Sequence, residues 1–139
     1  MYLTTETIMD NVMEMNSLKK NKSKTIFCDL DGTLVKHCGN PCLVADPNHK
    51  LEVLPGTHDK LREWDLKGYN IIITTGRKRS CRDATEKQLQ RAGIFYDDLI
   101  MGFGGAVRYL INDTKPNSDE PTAFAIVVKR NEGPGDINL

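Results

Sequence analysis

Residues 25–33 of the chain read TIFCDLDGT, an apolar run of β-forming residues that ends in two aspartates and a glycine. Such a run predicts a buried strand over 25–28 with polar groups at its carboxyl end. Asp29 and Asp31 are two positions apart, so an extended backbone points both side chains the same way, and Gly32 allows a sharp turn after them. Two carboxylates sharing a site repel each other, so either a divalent cation joins them or one carries a proton. On these residues alone, a catalytic pair and a solvated turn are equally good interpretations.

The rest of the chain alternates helical and strand patterns. Helices are predicted over 4–19, over 57–68 with a glycine stop, and from about 79 to 92 before another glycine; further strands are predicted at 70–75, 98–101, 107–111 and 123–128. This alternation predicts an α/β fold, a Rossmann-like three-layer sandwich with a central parallel sheet. Ligands of such sheets bind beyond the carboxyl ends of the strands. Those ends carry Asp29 and Asp31, Thr74 and Thr75, and Asn112 and Asp113.

Length and charge restrict the classes of protein that the chain can belong to. Its 139 residues suit one domain, and its 19 basic and 19 acidic residues give no net field that would draw it to nucleic acid or an anionic membrane. No apolar run approaches the roughly 20 residues that span a bilayer, and the acidic N-terminus is unlike a secretory signal. We therefore expect a cytoplasmic protein with no nucleic-acid or membrane partner. In the reducing cytosol, Cys28, Cys38, Cys42 and Cys81 are predicted to be free thiols.

Three segments are predicted. Residues 1–22 form an N-terminal helix that is a candidate oligomer contact, residues 23–130 form the core, and residues 131–139 form a loose Gly/Asn/Pro-rich tail.

The longer string FCDLDGTLV, residues 27–35, resembles the first motif of the haloacid dehalogenase-like hydrolases. The strand that ends in TTGR, residues 74–77, resembles the second motif, and YLIND, residues 109–113, resembles the fourth. Order and spacing agree over about residues 24–115. The resemblance therefore covers most of the chain.

The resemblance implies a phosphatase mechanism. Asp29 is expected to attack phosphorus and form an aspartyl-phosphate, while Asp31 protonates the leaving oxygen and then deprotonates the hydrolytic water. Thr75, with the Gly76 amide, is expected to bind a phosphoryl oxygen, and Thr74 takes this role if the register differs by one. Mg²⁺ is expected on Asp29, the Asp31 carbonyl, Asp113 and its neighbour Asn112.

Two features depart from the family pattern. Asn112 stands where the fourth motif usually begins with Asp, and the third motif's cation is missing at Gly104-Gly105. Arg108 is our first choice for that cation. The alternatives are Arg77, Lys78 and Lys115, of which the first two are also expected to bind substrate phosphate.

The segment that follows the first motif is expected to form a flap beside the site. His37 and Lys36 are its candidate substrate-facing residues. His37, Cys38, Cys42 and His49 could also bind zinc, although their spacing does not match the usual zinc loop.

No segment is long enough for a cap domain, since about 22 residues separate Asp31 from Leu54. Uncapped members of the family act on larger or polymer-borne phosphates or use a neighbouring subunit as a lid. The sequence thus predicts a Mg-dependent phosphatase that hydrolyses the phosphomonoester of a sugar phosphate or similar metabolite. The alternatives are a phosphotransferase or phosphomutase with the same nucleophile, and a non-catalytic module that binds a phosphorylated ligand.

Overall fold

A computed structural model describes residues 4–11 and 23–139. Its centre is an open sheet of three parallel strands in the order β1-β2-β3, with β1 at Thr25–Asp29, β2 at Asn70–Thr75 and β3 at Asp98–Met101. Asp29 pairs with Thr74, and Thr75 pairs with Met101. The polar residues that end β1 and β2 therefore lie side by side at one edge of the sheet.

Three α-helices lie within residues 23–139: α1 at Pro41–Val44, α2 at Thr57–Leu66 and α3 at Arg82–Arg91. A 3₁₀ turn, Arg79–Cys81, leads into α3, and residues 5–11 are helical. Gly68 and Gly93 end α2 and α3 with φ of 76° and 69°, a backbone conformation that favours glycine, as their positions after each helical pattern predict. No helix among these residues is long and apolar enough to cross a bilayer.

The core forms where the apolar faces of the helices meet the sheet. Leu61 and Trp64 of α2 and Leu89 of α3 are buried against Ile71 and Ile73 of the central strand. The predicted α/β fold with a parallel sheet is therefore confirmed. The predicted first helix extends into residues 12–22, which lie outside the described residues.

Two predicted strands are wrong. Residues 107–111 and 123–128 adopt no regular structure, and several of their apolar side chains are largely exposed, including Val107 (80%), Ile111 (92%) and Val127 (95%). Their β-branched composition favours an extended backbone, but a strand also needs a partner for its N–H and C=O groups. No described backbone hydrogen bond joins either segment to the sheet.

The C-terminal segment, predicted to be loose, packs on the core. Ile137 and Leu139 contact the hydrophobic cluster, and the Lys67 ammonium donates to the Leu139 carbonyl at 2.8 Å. Earlier in the same segment, Gly135 lies so close to Gly56 that a Cβ on Gly56 would stand 2.6 Å from the Gly135 Cα. The tail therefore covers the turn that begins α2.

Gly56→Ala is expected to destabilise the protein by at least about 1–2 kcal/mol, because residue 56 has a φ of 81° and its added methyl would overlap the tail. Urea denaturation measures the effect. Gly39→Ala is the matched control, since a Cβ there has no atom within 4 Å. Equal stability of the two variants would show that the tail does not rest on Gly56.

Candidate active site

The loop after β1 holds the first aspartate at the open end of the sheet. Gly32, at a φ of 90°, turns the chain, and its amide donates to the Val35 carbonyl at 2.7 Å. The Thr33 hydroxyl donates to Asp29 Oδ2 at 3.2 Å. Leu34 and Val35 are fully buried beneath the loop and anchor it to the core. Asp29, the last residue of β1, is thus exposed beside a loop whose base is fixed.

Asp31 is held by a neighbouring arginine. Arg77 Nε donates to Asp31 Oδ2 at 2.9 Å, and Nη2 donates to Oδ1 at 2.8 Å. The Thr75 hydroxyl also donates to Asp31 Oδ2, at 3.3 Å, and accepts from the Arg77 amide. The Arg77 side chain is only 4% exposed and that of Asp31 is 18% exposed. This bidentate pair fixes the second carboxylate in one orientation.

Two polar residues of α3 hold Arg77 from behind. Its Nη1 donates to the Thr85 hydroxyl at 3.2 Å and to Gln88 Oε1 at 2.7 Å. The Gln88 amide nitrogen lies within 3.2 Å of three carbonyls at the end of α1, those of Leu43, Val44 and Asp46. Gln88 therefore connects Asp31, through Arg77, to the segment that is expected to form the flap.

Sequence reasoning missed Thr85 and Gln88. The available signal was their spacing: both are fully buried, and they lie on the same helical face as Ala84 and Leu89. A polar pair on an apolar helix face requires a buried partner, and here that partner is Arg77.

The environment of Asp29 raises the pKa of its carboxyl above the ordinary value of 3.8. Partial burial is the largest cause, and repulsion from Asp31 adds to it. The Thr33 hydroxyl, the Leu30 amide and the charge of Arg108 act in the opposite direction. The ionised Asp29 carboxylate is therefore not fully stabilised by its surroundings, and a bound cation would relieve this cost.

Asp29→Asn is therefore expected to raise the free energy of unfolding at neutral pH. A carboxyl with a raised folded-state pKa opposes folding once pH exceeds its unfolded pKa, and this cost disappears when both states are protonated. Urea denaturation at neutral pH and at a pH below 3.8 measures the difference between parent and variant. If the variant were no more stable than the parent at neutral pH, or if its advantage grew on acidification, the pKa of Asp29 would not be raised in the folded protein.

Arg108 lies near enough to Asp29 for its positive charge to lower the pKa of that carboxyl, as the smallest of the contributions. Its guanidinium carbon is 4.4 Å from the centre of the Phe103 ring, and its nitrogens donate to the carbonyls of Gly104 and Ala106. A Cβ on Gly76 would overlap the Gly104 carbonyl, so the loops after β2 and β3 touch at two glycines. The geometry is compatible with the predicted role of Arg108 as the third-motif cation.

The other sequence-predicted substrate residues are placed differently. Arg77 is buried on Asp31 and does not face the solvent, whereas Lys78 and His37 are exposed. The Lys36 ammonium is 3.6 Å from a Glu52 carboxylate oxygen, so it has a partner of its own. Thr74, half-buried, pairs with Asp29 across the sheet, and Lys115 is exposed in the loop after β3.

Asn112 and Asp113 are exposed and contact Thr122. The Asn112 amide donates to the Thr122 hydroxyl at 2.8 Å, and that hydroxyl donates to the Asp113 carbonyl. Within residues 4–11 and 23–139, no group of three or more His, Cys, Asp or Glu side chains is close enough to hold a metal ion. The structure therefore does not bring Asp113 to Asp29 and Asp31.

The donors at the end of β1 nevertheless suit Mg²⁺ in kind. Mg²⁺ prefers oxygen ligands and is commonly bound by one or two carboxylates, with waters and substrate phosphate completing the shell. The Asp29 carboxylate and the Asp31 carbonyl are such donors. Repulsion from the Asp31 carboxylate also favours a cation beside Asp29.

The candidate zinc residues form no ligand cluster in the described part of the chain. Cys38, Cys42 and the other two cysteines are free, as predicted. Burial raises the pKa of Cys28 to about 12, which keeps that thiol protonated and unreactive.

Comparison with known proteins gives one matching family model and several similar solved structures. Residues 26–120 match a family model described as haloacid dehalogenase-like hydrolase. No curated protein matches the chain.

Among solved structures, a chain of the Pnkp1/Rnl/Hen1 complex is 29% identical, with a TM-score of 0.51 over 64% of this chain and 31% of that one. A chain of the Pnkp1/Rnl/Hen1 RNA repair complex is 21% identical, with a TM-score of 0.50 over 86% of this chain and 42% of that one. A class C acid phosphatase from Bacillus anthracis with tungstate bound is 25% identical over 66% of this chain and 46% of its own, with a TM-score of 0.48. The chain spans less than half the length of each of these three.

Proposed function

Because the chain belongs to the haloacid dehalogenase-like hydrolases, we propose that it is a Mg-dependent phosphatase that hydrolyses phosphomonoesters through Asp29. The observation that carries this proposal is that the two aspartates differ in their hydrogen-bond and ion-pair partners. Asp31 is fixed by Arg77 and Thr75, whereas Asp29 forms no ion pair with any described residue and is exposed. One carboxylate is thus available to attack, while the other is oriented beside it.

The reaction requires two displacements at phosphorus. An Asp29 oxygen attacks the phosphoryl group, and the bond to the leaving oxygen breaks as that oxygen takes a proton from Asp31. Asp31 then removes a proton from water, which attacks the aspartyl-phosphate and releases inorganic phosphate. Each Asp31 oxygen keeps lone pairs beyond its bonds to Arg77, so the carboxyl is able to carry the proton.

Charge must be neutralised during both steps. Mg²⁺, when bound, would offset repulsion between Asp29 and the phosphate, with Asp29 and the Asp31 carbonyl as its protein ligands. Arg108 supports the same function from the loop after β3, because its positive charge acts on Asp29. The Gly76 amide and a threonine at the end of β2 would bind the phosphoryl oxygens. Since the Thr75 hydroxyl is engaged with Asp31, Thr74 is the better placed of the two candidates.

Sugar phosphates and similar small metabolites are the first substrate class. A phosphate at the end of an RNA is the second candidate substrate, because one similar structure belongs to an RNA repair complex. Another, at 29% identity, comes from a Pnkp1/Rnl/Hen1 complex. An RNA substrate does not fit the expectation of no nucleic-acid partner. The absence of a cap among the described residues leaves the site open to substrates of either size.

Phosphate release from a panel tests the proposal. The panel contains sugar phosphates, an aryl phosphate, and oligoribonucleotides phosphorylated at the 3′ or 5′ end, each with and without Mg²⁺. We expect Mg-dependent release from at least one member. Transfer of the phosphoryl group to a sugar hydroxyl would identify a phosphotransferase, and binding without release or transfer would identify a non-catalytic module.

A further inference from the structure

The C-terminal segment brings a cation to the catalytic loop. A Cβ built on Gly32 would stand 3.2 Å from Arg130 Cγ, 3.7 Å from Arg130 Nε and 3.9 Å from His37 Cβ. Arg130 therefore lies across the loop that carries the two aspartates, next to the first residues of the flap. Nothing in the sequence motifs draws attention to this residue, which is 99 positions from Asp31.

Asn131 fixes the backbone at this position. Its amide donates to the Gly32 carbonyl at 2.8 Å, and its side-chain oxygen accepts from the His37 amide at the same distance. Its φ of 64° is unusual for a residue other than glycine, although asparagine tolerates it better than most. One residue thus joins the catalytic loop, the flap and the tail, and it holds Arg130 beside the site.

The charge of Arg130 has no ion-pair partner within residues 4–11 and 23–139. The side chain is exposed and forms no ion pair with any described residue, whereas Lys36 is paired with Glu52 and Arg77 with Asp31. An arginine guanidinium is planar and donates to two oxygens at once, which suits a phosphate. An unpaired arginine at the rim of a phosphatase site is therefore well suited to bind an anion.

Arg108 and Arg130 differ in position. Arg108 is in the loop after β3, where its guanidinium donates to two backbone carbonyls of that loop. Arg130 lies over Gly32, in the loop after β1, and near His37. We propose that Arg130 is a specificity-determining residue that binds a second anionic group on the leaving part of the substrate.

This inference rests on the proposed function for its meaning, but its test does not require turnover. Ligand binding is measured by calorimetry with Mg²⁺ present in the Asp29→Asn background, which lacks the nucleophile. One pair of ligands is glucose 6-phosphate and glucose 1,6-bisphosphate, which differ by a second monoester. The other pair is a ribonucleoside 3′-monophosphate and a 3′-phosphorylated ribodinucleotide, which differ by a nucleotide joined through an internal diester.

The matched variants are Arg130→Met and Lys129→Met. Each removes one positive charge and keeps an unbranched stem, so the packing of Arg130 on Gly32 is largely preserved. Urea denaturation confirms that both variants fold. In Arg130→Met, which lacks the guanidinium, the ligand that carries the second anion is expected to bind at least about tenfold more weakly. The affinity for the matching monophosphate is expected to change little.

The outcome is decisive in each case. Loss of the preference in Arg130→Met alone supports the proposal, and the ligand pair that shows it identifies the second anion as a monoester or a diester. Equal loss in Lys129→Met would indicate only a general charge effect and would overturn it. Parent protein that binds both members of each pair equally would also overturn it, whether or not the enzyme releases phosphate.

Discussion

Asp29→Asn is expected to lower the rate of phosphate release by at least about 10³-fold, because the amide cannot form the aspartyl-phosphate. Substrate binding is expected to survive, since Asn keeps the size of the side chain and an oxygen that can accept from Thr33. The measurement is the rate of release from the best substrate of the panel at saturating concentration, with Mg²⁺.

The control is built into the same substitution. Because removing the charge at position 29 is expected to stabilise the folded protein at neutral pH, inactivity cannot be attributed to unfolding if that expectation holds. Lys129→Met, an exposed substitution next to Arg130, should retain activity close to that of the parent. An Asp29→Asn protein that keeps more than about a tenth of the parent rate would exclude Asp29 as the nucleophile.

Arg77→Ala is expected to reduce the free energy of unfolding by about 3–5 kcal/mol, the usual cost of breaking a buried ion pair by removing one partner. The truncation leaves Asp31, Thr85 and Gln88 without the donor that joins them. It also releases Asp31 from its fixed orientation. Activity is therefore expected to fall with stability, and urea denaturation and phosphate release measure the two effects separately.

Lys78→Ala is the matched control for stability, since its exposed side chain follows Arg77 directly and forms no ion pair with any described residue. A double-mutant cycle with Asp31→Asn isolates the pair. The cost of Arg77→Ala should be smaller when Asp31 is already neutral, because no unpaired charge is left behind. Equal costs in the two backgrounds would show that Arg77 acts through packing and not through Asp31.

The regular core was predictable because its signals are local. The confirmed strands are short apolar runs, of which β1 and β2 end at polar residues and β3 ends before Gly102, and the glycines after α2 and α3 mark the ends of these helices. The segments at 107–111 and 123–128 share the same composition, but propensity alone does not supply a pairing partner. The glycines of the tail predict a loose loop, but Gly133 instead permits close packing on Pro55, where a Cβ would overlap the Pro55 carbonyl oxygen.

The site was predictable only in part. Spacing placed Asp29 and Asp31 together at the strand end, and the register of β1 and β2 brings Thr74 and Thr75 beside them. A sequence does not show whether an arginine is solvated or buried, so Arg77 was expected at the substrate when it in fact fixes Asp31. The contact of Arg130 with Gly32 depends on how the tail folds back over the core, which no motif encodes.

A trapping experiment tests most directly whether a phosphoryl group forms on Asp29 during turnover. The protein is mixed with ³²P-labelled substrate and Mg²⁺, quenched in acid within one turnover, and digested for mapping of the label. We expect a hydroxylamine-labile phosphoryl group on the peptide that contains Asp29 and none in Asp29→Asn. A protein that turns over the substrate with no label on that peptide would contradict this expectation.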